Sequence, residues 1–115
     1  MNMTYTYNPE LINEFGVNRM RFELGDTLVE GGADTSALSD EEYLAMIAEF
    51  SRWEVARLRL LRAIVHKLSY QVDTRVDTLS YSLSDRARAF RELYDKLKEE
   101  YTLAHGKPWI QALDA

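Results

Sequence analysis

The segment Leu38-Ser39-Asp40-Glu41-Glu42 constrains this chain more than any other, because it opens a helix and the apolar pattern behind it then runs for about thirty residues. Ser39 at the N-cap and Glu42 three positions on have the spacing of a capping box. Leu38 before the cap can staple onto Tyr43. Asp40, Glu41 and Glu42 fill the first turn, where the helix dipole favours acids. Together these contacts stabilise a helix end by about 1–2 kcal/mol. From there Tyr43, Met46, Ile47, Phe50, Trp53, Leu61, Ile64, Val65 and Leu68 recur with a period of 3.6, and Val55 and Leu58 widen the stripe. No Gly or Pro interrupts until well beyond Tyr70. The pattern predicts one long helix from Ser39 to about Tyr70. Its stripe is wider than one small partner helix covers, so it either faces another subunit or marks a central helix buried on several sides.

The flanking sequence reads as shorter elements. Asn8-Pro9 is a helix-start signal for a short helix over Glu10 to Glu14, which Gly16 would end. Val17, Met20 and Leu24 predict a second short helix over Val17 to Leu24, with Gly25 as its C-cap. Asp26 to Ala37, with Gly31-Gly32, is a loop by composition. Between Gln71 and Ser82 the period changes: Val72, Thr74, Val76 and Thr78 alternate with polar neighbours, predicting a short extended arm. A lone arm has unpaired backbone edges that another copy could satisfy; a tight hairpin around Asp73 to Asp77 is the competing reading. The last helix is predicted to start at Ser82 or Ser84. Leu83, Ala87, Phe90, Tyr94, Leu97, Tyr101 and Ala104 share one of its faces. Gly106 and then Pro108 stop it, and a tail follows with Trp109, Ile110 and Leu113 as its large apolar residues. The expected architecture is mainly all-α: one domain over 1–105, with two long antiparallel helices, one or two short N-terminal helices and the arm, followed by a tail over 106–115.

Composition removes several function classes. A chain of 115 residues is one domain at most and buries roughly two thirds of its unfolded surface. Without cysteine it has neither disulfides nor a thiolate metal site. The opening Met-Asn-Met-Thr-Tyr-Thr-Tyr does not read as a signal peptide, and no apolar run spans a bilayer. A net charge of −5 opposes gripping nucleic acid through phosphates. The basic stripe of Arg52, Arg57, Arg59, Arg62 and Lys67 reads as a solvated face with partners such as Glu54. A DNA-reading helix-turn-helix is disfavoured by long connections and by the sign of the charge.

Convergent chemistry is sparse. His66 and His105 lack companions with metal-ligand spacing, and His105 is explained by its place in a last helical turn. Asp26 with Asp34, and Glu41 with Glu42, read as caps and solvated acids. Gly25-Asp26-Thr27 has neither the glycine spacing nor the lysine of a phosphate loop. Ser82 and Ser84 have no histidine at a defensible triad distance. No catalytic, cofactor or metal residues are assigned, and an enzyme is not expected.

Three signatures in order carry a resemblance. The first is Arg21-Phe22-Glu23-Leu24-Gly25-Asp26-Thr27, the second Leu38 to Glu42, and the third Leu79-Ser80-Tyr81-Ser82-Leu83-Ser84-Asp85-Arg86-Ala87. Together they resemble the small head-tail connector (adaptor, or head-completion) proteins of tailed double-stranded DNA bacteriophages and related prophages. The match comprises Leu24, Gly25, Asp26 and Thr27, then Leu38, Ser39, Asp40, Glu41 and Glu42, then Ser82, Ser84, Arg86 and Ala87 with the later Tyr94. It spans about Val17 to Leu97. Two departures are a Gly-rich loop over Leu28 to Ala37, where the family is often shorter, and Asp85, where a Gln is common.

The resemblance implies a structural virion protein that assembles as a ring, a dodecamer in the virion, beneath the portal protein. Such a ring extends the DNA channel and gives the stopper or tail-completion protein a platform. DNA would pass without sequence-specific binding, and no membrane is involved. The expected location is the head-tail interface of the virion, with host cytoplasm before assembly. Trp109, Ile110 and Leu113 are the expected portal-binding residues. Phe50, Trp53, Leu58, Val72 and Val76 are the expected subunit interface. The competing reading is a small cytoplasmic helical adaptor or regulator that binds a host protein through the same apolar stripe.

Overall fold

A computed structural model of the chain describes residues 3–74 and 79–106. All regular structure among them is helical. Four α-helices follow in order: α1 (Val17–Leu24), α2 (Asp40–Glu49), α3 (Trp53–Thr74) and α4 (Leu79–His105), with single 3₁₀ turns at Pro9–Leu11 and Gly32–Asp34. The chain divides into two compact units, residues 1–57 and 58–115, with the boundary inside α3. No described helix is long and apolar enough to cross a membrane.

In the first unit the expected α1 forms over the expected residues. It ends because Gly25 adopts a left-handed φ of 78°, a region that costs any residue with a Cβ about 1 kcal/mol or more. The Gly25 amide then donates to the Phe22 carbonyl and the Asp26 amide to the Arg21 carbonyl, the paired bonds of a Schellman stop. This turn carries Asp26 back over the last turn of its own helix. The capping box at α2 also forms. Ser39 Oγ accepts from the Glu42 amide at 3.2 Å, and Glu42 Oε1 accepts from the Ser39 amide at 2.9 Å. Leu38 and Tyr43, the two ends of the expected staple, are both buried. The expected helix over Glu10 to Glu14 is reduced to the 3₁₀ turn, capped by Asn8 Oδ1 on the Glu10 amide.

The single long helix is corrected to two. α2 stops at Glu49, Phe50 turns extended (φ −107°, ψ 119°), and α3 starts at Trp53. A three-residue break can hold the apolar faces of both helices in phase, so hydrophobic periodicity passes straight through it. A usable signal was present: Ser51 and Glu54 stand at the Ser-x-x-Glu spacing of a second helix start, and Glu54 lies in the first turn of α3.

In the second unit, Leu58, Leu60, Leu61, Ile64, Val65 and Leu68 of α3 are buried, as are Phe90 and Tyr101 of α4. The buried α3 positions sweep an arc of roughly 160° at 100° per residue. The stripe from Leu58 to Leu68 is thus covered within the chain, and this part of it does not itself require a second copy. α4 ends as expected at Gly106 (φ 71°), whose amide donates to the Thr102 carbonyl at 2.8 Å.

The extended arm over 71–82 is corrected at both ends. Residues through Thr74 belong to α3 and residues from Leu79 to α4, so the last helix starts before Ser82 and Ser84. The middle of the arm, 75–78, lies outside the described residues. Alternating β-branched residues state a preference that neighbouring helix can override, since such propensities are worth only tenths of a kcal/mol per residue.

Candidate functional site

The first two signatures meet at one place. Arg21 of α1 is fully buried, and its guanidinium is gripped from three segments. Nη1 donates to the Asp26 carbonyl (3.1 Å), Asp26 Oδ2 (3.2 Å) and Ser36 Oγ (2.8 Å), and Nη2 to the Leu38 carbonyl (2.9 Å) and Asp40 Oδ1 (3.0 Å). Its Cζ lies 4.7 Å over the Tyr43 ring. Only an arginine has the flat multi-donor fork that can reach this many acceptors at once.

Asp26 is the second centre. Oδ1 accepts from the Ala37 amide (2.8 Å), and Oδ2 accepts from the Leu38 amide (3.2 Å) and the Tyr43 hydroxyl (2.8 Å). Burial raises the Tyr43 hydroxyl far above its ordinary value, and the Asp26 carboxylate that accepts its proton adds to the shift. Tyr43 therefore acts as a fixed donor. Asp40 extends the network outward: its carboxylate takes the Thr6 amide (3.1 Å) and hydroxyl (2.6 Å), and its own amide donates to the Thr4 carbonyl (2.8 Å). Glu41 Oε1 accepts from the Thr4 amide at 2.7 Å.

One guanidinium faces two carboxylates here. The second negative charge is balanced by amide and hydroxyl donors and by the N-terminus of α2. The arrangement joins the end of α1, the loop and the start of α2, and ties the N-terminal segment to them. One group is left over, because buried Arg21 Nε has no hydrogen-bond partner. With Arg21 and Asp26 at 0% and 2% exposure, no substrate reaches this chemistry, and its work is to hold the fold. By sequence Asp26 reads as a cap or a solvated acid. The clue was an arginine on the apolar arc of α1 with an aspartate just past its glycine stop.

An accessible feature among the described residues of this unit is an apolar groove of about 310 Å³ lined by Phe15, Ile47, Phe50, Ser51 and Trp53. Phe15 is 69% exposed and meets Trp53 edge-on, with ring centroids 5.0 Å apart. The Arg19 guanidinium stacks 4.2 Å from the centroid of the Phe15 ring. Glu23 organises the wall by accepting from Trp53 Nε1 (2.8 Å), Arg57 Nη1 (2.8 Å) and Arg19 Nε (3.2 Å). The sequence assigns no site role to Glu23 or Phe15, because hydrophobic periodicity does not show the break that forms the groove.

Phe50 and Trp53, of the expected subunit interface, thus line this groove. Leu58 is buried within the chain at 1% exposure and offers no surface to a partner. The Val72 side chain and all of Val76 lie outside the described residues, as do Trp109, Ile110 and Leu113. Of the third signature, Ser84, Arg86 and Ala87 lie half-buried on α4, and Ser82 is on the same helix. Of the two histidines, His66 is exposed and His105 stacks on Tyr101 with ring centroids 4.1 Å apart. Among the described residues no group of three His, Cys, Asp or Glu side chains could hold a metal ion. Comparison with known protein families, with curated proteins and with solved structures found no match.

Proposed function

We propose that this chain is a structural subunit of a phage or prophage head-tail connector, forming a ring below the portal that extends the DNA channel and carries the stopper or tail. The observation that supports it most is the convergence of Arg21, Asp26, Leu38 and Asp40 on one buried network. The resemblance rests on the order and spacing of short signatures, each of them common helix punctuation. That the first two are halves of one structural unit gives their spacing a physical reason. In this reading α3 and α4 are an antiparallel pair.

Other expected supports have weakened: the apolar stripe from Leu58 to Leu68 is covered within the chain, and the arm is helical at both ends. The groove at Phe15 and Trp53 replaces them as the surface on which a neighbour can dock. It serves the competing reading too, in which a small helical adaptor binds a host protein there. Two observations separate the readings. A connector gene lies just downstream of portal and capsid genes, and the purified chain co-sediments with the portal encoded there as a ring-shaped assembly. A gene outside any such cluster, with a stable one-to-one complex with a host protein, supports the adaptor.

A further inference from the structure

We infer that the Phe15–Trp53 groove receives the apolar tail, Trp109 to Leu113, of a second copy of this chain. The inference rests on the ring reading and specifies its subunit contact. It gives the tail a different partner from the portal expected for Trp109, Ile110 and Leu113.

The groove has the character of a preformed binding site. Its walls come from the loop before α1, from Ile47 of α2, from the α2–α3 break and from Trp53 of α3, and Glu23 holds Trp53 through its Nε1 before any ligand arrives. Preorganisation of this kind lowers the ordering cost of association. Its volume of about 310 Å³ suits one large side chain with an aliphatic neighbour rather than a whole helix.

The tail matches these properties. The described chain ends at Gly106, whose left-handed φ turns the backbone away from the α4 axis, and Pro108 opposes continued helix. Beyond it, Trp109 and Ile110 are an adjacent aromatic and aliphatic pair, with Leu113 three residues further on. Nine residues, 107–115, can extend about 30 Å from the end of α4. A groove and a tail are different surfaces, so their pairing between copies is heterologous, and repeated heterologous contacts close into a ring when the rotation allows.

The chain has no cysteine, so a single introduced thiol reports one position. In the test, Gln111→Cys carrying a benzophenone label is mixed with isotopically heavy full-length chain, irradiated and mapped by mass spectrometry. The expected result is light-to-heavy crosslinks falling on the peptide around Ile47 to Trp53. Trp109→Ala, which alters no described contact, and Ile47→Glu in the groove should each lower their yield at least ~10-fold, as for loss of an anchoring side chain. Crosslinks confined to single chains mean that the tail folds onto its own groove and overturn the inference, as do crosslinks elsewhere or none. A closed ring without the groove crosslink sinks this contact and leaves the connector reading standing. A groove crosslink between copies that form no ring and bind no portal does the reverse.

Discussion

Arg21 is the residue on which the first unit turns. Replacing it with Met leaves Asp26 and Asp40 buried or nearly so without their cation, a change that costs about 3–5 kcal/mol for a buried pair. Denaturant titration of Arg21→Met should show that loss. Arg21→Lys keeps the charge but lacks the fork spanning Ser36, Leu38 and both aspartates, so it should recover only part; a fully restored midpoint contradicts the geometry. Tyr43 gives a pH signature. Its hydroxyl is raised by burial and by Asp26, so it contributes stability in full below the unfolded-state value of about 10. Above that pH the unfolded chain ionises and the folded one does not, and stability falls by about 1.4 kcal/mol per pH unit from this group. Near neutral pH, Tyr43→Phe should cost about 1–3 kcal/mol by leaving Asp26 short of a donor. Its gap to the unsubstituted chain should narrow with that slope above pH 10, and a gap constant to pH 11.5 contradicts the assignment. None of this was readable at single positions. A buried ion pair depends on the Schellman turn bringing Asp26 back over Arg21, and apolar periodicity does not register a charged side chain in the core.

At the scale of elements, local signals worked where the chemistry is local. The Ser39–Glu42 box, the Gly25 stop and the Gly106 stop each need only a few neighbouring residues, and each stands where the spacing placed it. Gly25→Ala should cost about 1 kcal/mol or more, because it forces a Cβ into a left-handed φ and loosens the turn that presents Asp26. Ser39→Ala should cost about 1 kcal/mol through the lost cap, within a range of roughly 0.5–2. Thermal unfolding of both variants checks these values, and Gly25→Asn should be milder than Gly25→Ala because asparagine tolerates the left-handed region better. Local signals failed where tertiary context decides. The α2–α3 break keeps the apolar phase and so escapes a period analysis, although it creates the groove. The β-branched alternation from Val72 onward lost to helix on both sides.

At the scale of the molecule, helical class was legible because it follows from period and caps. The covering of the α3 stripe was not, since a sequence shows how wide an apolar face is and not what lies against it. The connector proposal therefore rests on the ordered signatures, the first two of which form one structural unit, and the groove–tail contact is an inference built on that proposal. The most direct test is native mass spectrometry of the full chain from dilute to high concentration, alone and after mild removal of added salt. The account predicts one closed oligomer of about a dozen subunits that appears without a ladder of larger species. A chain that stops at a dimer throughout that range, or that stays monomeric and forms no ring with the portal either, contradicts it.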